Sequence, residues 1–73
     1  MGGRGSSSNV NPFSFIFNNQ KLYAAVNRAF DRVNLEGEDS DIYNHMYRYK
    51  AIRELSDEQQ DLVYEYIRER AGF

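Results

Sequence analysis

From Leu22 onward the apolar residues recur at intervals of three and four, and Leu22, Ala25, Val26, Ala29, Phe30 and Val33 fall along one side of a helix. Lys21, Asn27, Arg28, Asp31 and Arg32 occupy the other side, so the spacing predicts a first amphipathic helix over residues 19 to 33 with a solvated polar face. Asn18 and Asn19 stand before it as N-caps. Asn34 to Asp39 read as a connection that turns at Gly37, with Leu35 tucked back beneath the loop.

A second helix is predicted from Ser40, or Asp39 one residue earlier, to about Leu55, with Asp41 in its first turn where a negative charge meets the helix dipole favourably. Ile42, Met46, Tyr49 and Ile52 or Arg53 form one stripe on it, and Tyr43, Tyr47 and Lys50 form a neighbouring one. Two adjacent stripes are wider than one helix buries in a small domain, so one of them must be partly exposed. Ser56 followed by Gln59 is a capping box, with Asp57 and Glu58 in the first turn, and it starts a third helix over residues 57 to 70. Leu62, Val63, Tyr66 and Ile67 face inward there, joined by the stem of Arg70, while Arg68 and Arg70 suit the last turn and Gly72 ends it. The corner between the second and third helices is then two or three residues long.

Ahead of the helices, Phe13, Phe15 and Phe17 alternate at period two after Pro12, the pattern of a half-buried extended segment. With no second strand to pair with, the segment is expected to lie extended across the helices and close the core with its rings. The alternative is pairing with the same segment of another protomer or with a partner's sheet edge. Residues 1 to 11 are rich in Gly and Ser and hold too little apolar surface to offset the entropy of ordering, so they read as a flexible tail. The expected fold is therefore all-α: a three-helix bundle within one small domain over residues 12 to 73, preceded by a disordered N-terminal tail at 1 to 11 and an extended Phe-rich segment.

Composition changes this picture in one respect. Six Tyr and five Phe among 73 residues are more rings than so small a core can enclose, and five of the tyrosines fall between residues 43 and 66. Partly exposed rings with polar tips favour contact with a partner. Nine Lys and Arg against eleven Asp and Glu give a formal charge of −2, which argues against a dedicated nucleic-acid binder. The absence of Cys excludes a disulfide framework and, with the lack of a long apolar run, leads to the expectation of a soluble cytoplasmic protein.

Candidate chemistry is sparse. His45 lies between Asp41 and Tyr49 at helical spacing, but no nucleophile has a defined relation to it, and a surface or boundary histidine is the simpler reading. Glu36, Glu38, Asp39 and Asp41 crowd one loop without the ligand spacing of a calcium site, and helix-start electrostatics accounts for them. The tail glycines Gly2, Gly3 and Gly5 do not precede a strand, a helix and a Lys, so they make no phosphate loop. No catalytic residue, metal or cofactor is expected.

Between Tyr43 and Arg53, basic and aromatic residues interleave, which suits stacked single-stranded bases or a protein interface. Asp57, Glu58 and Asp61 would repel phosphates near that corner, so a protein partner is the favoured reading. The expected contact residues are Tyr43, Tyr47, Arg48, Lys50 and Tyr64, whereas Tyr23, Tyr49 and Tyr66 fall beside or within the apolar stripes. A nucleic-acid-binding regulator using the same face is the alternative, and self-association through Phe13, Phe15 and Phe17, as in a structural virion subunit, is a third.

The opening Met1, Gly2, Gly3, Arg4, Gly5, Ser6, Ser7 and Ser8 resembles the start of many small and structural proteins encoded by bacteriophages and prophages of Gram-positive bacteria. The resemblance implies a host-directed inhibitor, a regulator or a minor virion component. It assigns no functional residue.

Overall fold

The computed structural model describes residues 11–73, so the predicted tail lies, for residues 1–10, outside the described residues. Among the described residues the fold is all-helical, with five helices and no strand: α1 (Ser14–Phe17), α2 (Gln20–Glu36), α3 (Ile42–Met46), α4 (Lys50–Arg53) and α5 (Asp57–Ala71). None of these helices is long and apolar enough to cross a membrane.

The two long helices, α2 and α5, carry the frame. Asn19 caps α2 by accepting the Leu22 N–H on its Oδ1 at 3.1 Å, and the apolar spacing buries Leu22, Ala25, Val26, Ala29 and Val33. Helix α2 runs one turn beyond the expected stop at Val33. It ends where Gly37 adopts φ 88° and ψ −163°, a conformation open essentially to glycine, while the Gly37 N–H bonds the Val33 carbonyl at 2.9 Å. Leu35 therefore sits on the last turn of α2, 81% exposed, and not beneath the loop as expected.

Helix α5 starts at the predicted cap, with Ser56 Oγ accepting the Gln59 N–H at 3.2 Å, and ends on Gly72 in the left-handed region. Its Val63 and Ile67 are fully buried. Arg70 ties its far end to α2: Nη1 donates to Asn27 Oδ1 and to the Tyr66 hydroxyl, each at 3.2 Å, and the guanidinium lies 4.5 Å from the centre of the Phe30 ring.

The predicted second helix is two helices. Along a continuous helix at about 100° per residue, Ile52 would point roughly 120° away from Met46 and only one of them could face the core squarely. Both are fully buried, because Tyr49 takes an extended conformation (φ −111°, ψ 122°) and turns the following residues inward. The interruption has no Pro or Gly to announce it. Arg53 Nη1 donates to the Tyr47 carbonyl at 2.9 Å, which satisfies an acceptor that the broken ladder leaves over. Gln60 Nε2 donates to the carbonyls of Arg53 and Leu55 at 3.2 and 3.1 Å and seals the corner into α5. The start of α3 also differs by a residue or two from expectation: Asp41 is its N-cap, accepting the Asn44 N–H at 3.2 Å.

The Phe-rich segment is a helical turn and not an extended strand. Phe13 and Phe17 are four residues apart as well as even-numbered steps, and the turn sets both against Tyr66, with ring centres at 5.5 and 5.7 Å. The residue that enters the core is Ile16, fully buried, while Phe13 and Phe15 are half-buried and Phe17 is exposed.

Candidate functional site

The short helix α3 places Tyr43 and Tyr47 on one side, their ring centres 5.9 Å apart. Tyr64, projecting from α5, stacks on Tyr43 with ring centres 4.6 Å apart and planes within 13°. Asp61, one turn before Tyr64 on the same helix, accepts a hydrogen bond from the Tyr43 hydroxyl at 3.0 Å. Tyr43 is thus held at its face and at its tip by neighbouring residues of α5. Desolvation of the phenol and the nearby Asp61 carboxylate push its pKa up to about 12, so it remains a donor throughout the physiological range. Tyr43 and Tyr64 are half-buried, and Tyr47 is 46% exposed. The three rings form a continuous aromatic face with its open end at Tyr47.

Arg48 and Lys50, expected on the same face, lie elsewhere. The interruption after Tyr47 turns them towards α2, where they line a shallow groove of about 330 Å³ with Lys21, Ala24, Ala25, Arg28, Tyr49 and Ala51. The five residues expected to form one surface therefore divide into an aromatic group, Tyr43, Tyr47 and Tyr64, and a basic pair in a separate groove. A second open groove, of about 510 Å³, is lined by Phe13, Glu58, Asp61, Leu62 and Glu65 and meets the aromatic face at Asp61.

Of the three tyrosines read as lying beside or within the apolar stripes, one is placed differently. Tyr23, read as belonging with the apolar stripe of α2, is 40% exposed, its ring 5.6 Å from that of Phe17. Tyr49 and Tyr66 are half-buried at the core edge, as their stripes imply.

His45 is a buried residue and not a surface one, and its partner is not Asp41. Its Nε2–H donates to Glu36 Oε1 at 2.9 Å, while Nδ1 is buried with no hydrogen-bond partner among the described residues. The hydrogen bond from His45 lowers the Glu36 pKa below its ordinary 4.5. Asp41 is occupied as the cap of α3, so two of the four acidic loop residues have local structural duties. The His45 contact fastens α3 to the end of α2, which is a positioning role.

Sequence reasoning missed Asp61 as the anchor of Tyr43, because nothing local links residues 18 apart. Lys21 and Arg28 carried a readable sign in their seven-residue spacing, which puts both on one side of a helix. In comparisons with known proteins, no family profile, curated protein or solved structure matches this chain.

Proposed function

We propose that this chain is a non-enzymatic protein-binding module whose contact face is Tyr43, Tyr47 and Tyr64. The observation that carries the proposal is the group of three tyrosines in which Tyr43 stacks on Tyr64 and bonds Asp61, while Tyr47 packs beside Tyr43 and stays open to solvent. Rings fixed before binding lose little conformational entropy on contact, and tyrosine offers both apolar area and a hydroxyl for pairing. The resemblance of Met1 to Ser8, residues outside those described, supports the finer reading of a phage-borne inhibitor or regulator acting in the host cytoplasm.

The reading is tested by comparing proteins captured on the wild-type chain with those captured on Y43S/Y47S/Y64S, with Y43F/Y47F/Y64F as a control for the hydroxyls. A specific partner falls at least tenfold with the serine variant while helical content persists. Equal capture by a folded serine variant removes this face from consideration.

Nucleic acid is the weaker alternative, since it called for rings and cations on one face and here the rings adjoin Asp61 while Arg48 and Lys50 line a different groove. A second reading, self-association through the Phe-rich segment, draws support from Phe17 alone of the three rings, which stands exposed beside exposed Tyr23. Sedimentation across a concentration series checks it: an F17S substitution lowers any dimer fraction, and a wild-type chain that stays monomeric throughout rejects it.

A further inference from the structure

We propose that the groove lined by Lys21, Arg28, Arg48 and Lys50 docks an acidic peptide segment of a protein partner, as a second contact surface independent of the aromatic face. The chain as a whole is slightly acidic, with nine basic residues against eleven acidic ones, yet four of the nine converge on this single concavity. Two come from α2 and two from the stretch around the α3–α4 interruption. All four are exposed, and no carboxylate of the described residues lines the groove.

These charges are compensated only weakly, Arg48 through its longer-range attraction to Glu36. Lys21, Arg28 and Arg48 make no ion pair with any described residue, and Lys50 has a single long contact, 3.9 Å to Glu54, between two exposed side chains. Such a contact holds a lysine weakly and leaves it free to exchange partners. A concentration of one sign of charge in a concavity focuses the field and favours an oppositely charged ligand.

Shape selects the kind of anion. Ala24, Ala25 and Ala51 keep the floor low, so a peptide backbone or a narrow helix face can approach closely. Lys21 and Arg28 lie seven residues apart on α2, a rise of about 10.5 Å. Carboxylates two turns apart on a partner helix, or about three residues apart along an extended peptide, match that separation. A nucleic-acid strand would also satisfy the charges, but its bases want stacking rings, and Tyr49, half-buried, is the one ring that lines this groove.

The test uses fluorescence anisotropy with a labelled twelve-residue Glu/Ala peptide, a Lys/Ala peptide of equal length and a twelve-nucleotide oligothymidine. The glutamate peptide binds the wild-type chain with an affinity that falls as salt rises, and the lysine peptide does not bind. K21Q/R28Q and R48Q/K50Q each weaken binding threefold or more, and the fourfold variant weakens it at least tenfold. R32Q/R68Q, which removes two exposed cations outside the groove, changes it by less than twofold, as does Y47S on the aromatic face. Circular dichroism establishes that each variant is folded, and the two pairwise variants suffice if the fourfold one is not. Absence of glutamate-peptide binding overturns the proposal, and so does equal weakening by R32Q/R68Q. Tighter binding of the oligothymidine that is lost in the groove variants overturns it in favour of nucleic acid.

Discussion

The two long helices and the broken stretch between Ile42 and Arg53 are built on different terms. Helices α2 and α5 begin at side-chain caps and end at positive-φ glycines, each buries a continuous stripe, and Arg70 joins them at one end. The stretch between them has two helical pieces of five and four residues, and the second has Tyr49 at its N-cap without a side-chain cap bond. Pieces that short are not stable by themselves, so tertiary contacts hold them: Met46 and Ile52 in the core, His45 on Glu36, Tyr43 on Asp61 and Tyr64, Arg53 on the Tyr47 carbonyl. What the difference teaches is a division of roles. The long helices supply the frame, and the broken stretch spreads its side chains over two surfaces, rings towards α5 and cations towards α2.

The sharpest way to probe that division is to remove the same side chain from each region. Ile67 on α5 and Ile52 on α4 are both fully buried. Ile67→Ala should cost about 2 to 5 kcal/mol, comparable to the whole stability of a domain this small, and Ile52→Ala should fall at the lower end because a four-residue helix can settle into the space. Chemical denaturation of both variants measures the gap. Equal losses would mean that the broken stretch is as rigidly packed as the frame.

The joint between the regions comes next. A Cβ at Gly37 would meet no described atom within 4 Å, so Gly37→Ala probes backbone strain alone. Its φ of 88° with ψ −163° implies a loss of about 1 to 3 kcal/mol. An unchanged midpoint of thermal unfolding would show that the loop can turn another way. A smaller effect, about 1 kcal/mol, is expected from Ser56→Ala, which removes the cap of α5. Hydrogen exchange on that variant should rise in the first turn of α5 and leave the amides of α4 unchanged.

The smallest effect belongs to the contact that fastens the two regions. Because His45 lowers the Glu36 pKa, the folded state binds fewer protons there than the unfolded chain does. The stabilisation is complete above the ordinary value of 4.5 and is lost as pH falls through the lowered one. The stability difference between the wild type and Glu36→Gln should therefore be larger near pH 6 than near pH 3. Urea titrations at the two pH values measure it, and a difference independent of pH would remove Glu36 as a contributor to acid sensitivity.

Much of the frame was legible because its signals are local. The apolar spacing of α2, the Ser56 cap and Gly72 stand within a few residues of the features they determine. The interruption at Tyr47 to Tyr49 was not legible, since no Pro or Gly marks it and the reason for it, burial of both Met46 and Ile52, depends on the packed core. The Phe-rich segment misled for a different reason: residues 13 and 17 satisfy a period of two and a spacing of four equally well, and Tyr66, far along the chain, selects the helical solution. Of the candidate site, Tyr43, Tyr47 and Tyr64 do share one face, although all three were expected to be exposed and only Tyr47 is, and the separation of Arg48 and Lys50 from them follows from the same interruption. His45 was misjudged because its partner, Glu36, lies beyond the helix on which it was read.

The division of roles is tested most directly by Tyr47→Ser, measured at once for stability and for capture of the partner that the wild-type chain enriches. Tyr47 is exposed and stands at the open end of the aromatic face, so the midpoint of thermal unfolding should stay within about 2 °C while capture falls at least tenfold. A large drop in the unfolding midpoint with capture unchanged would contradict the account, because it would make Tyr47 part of the frame and leave the aromatic face without a partner.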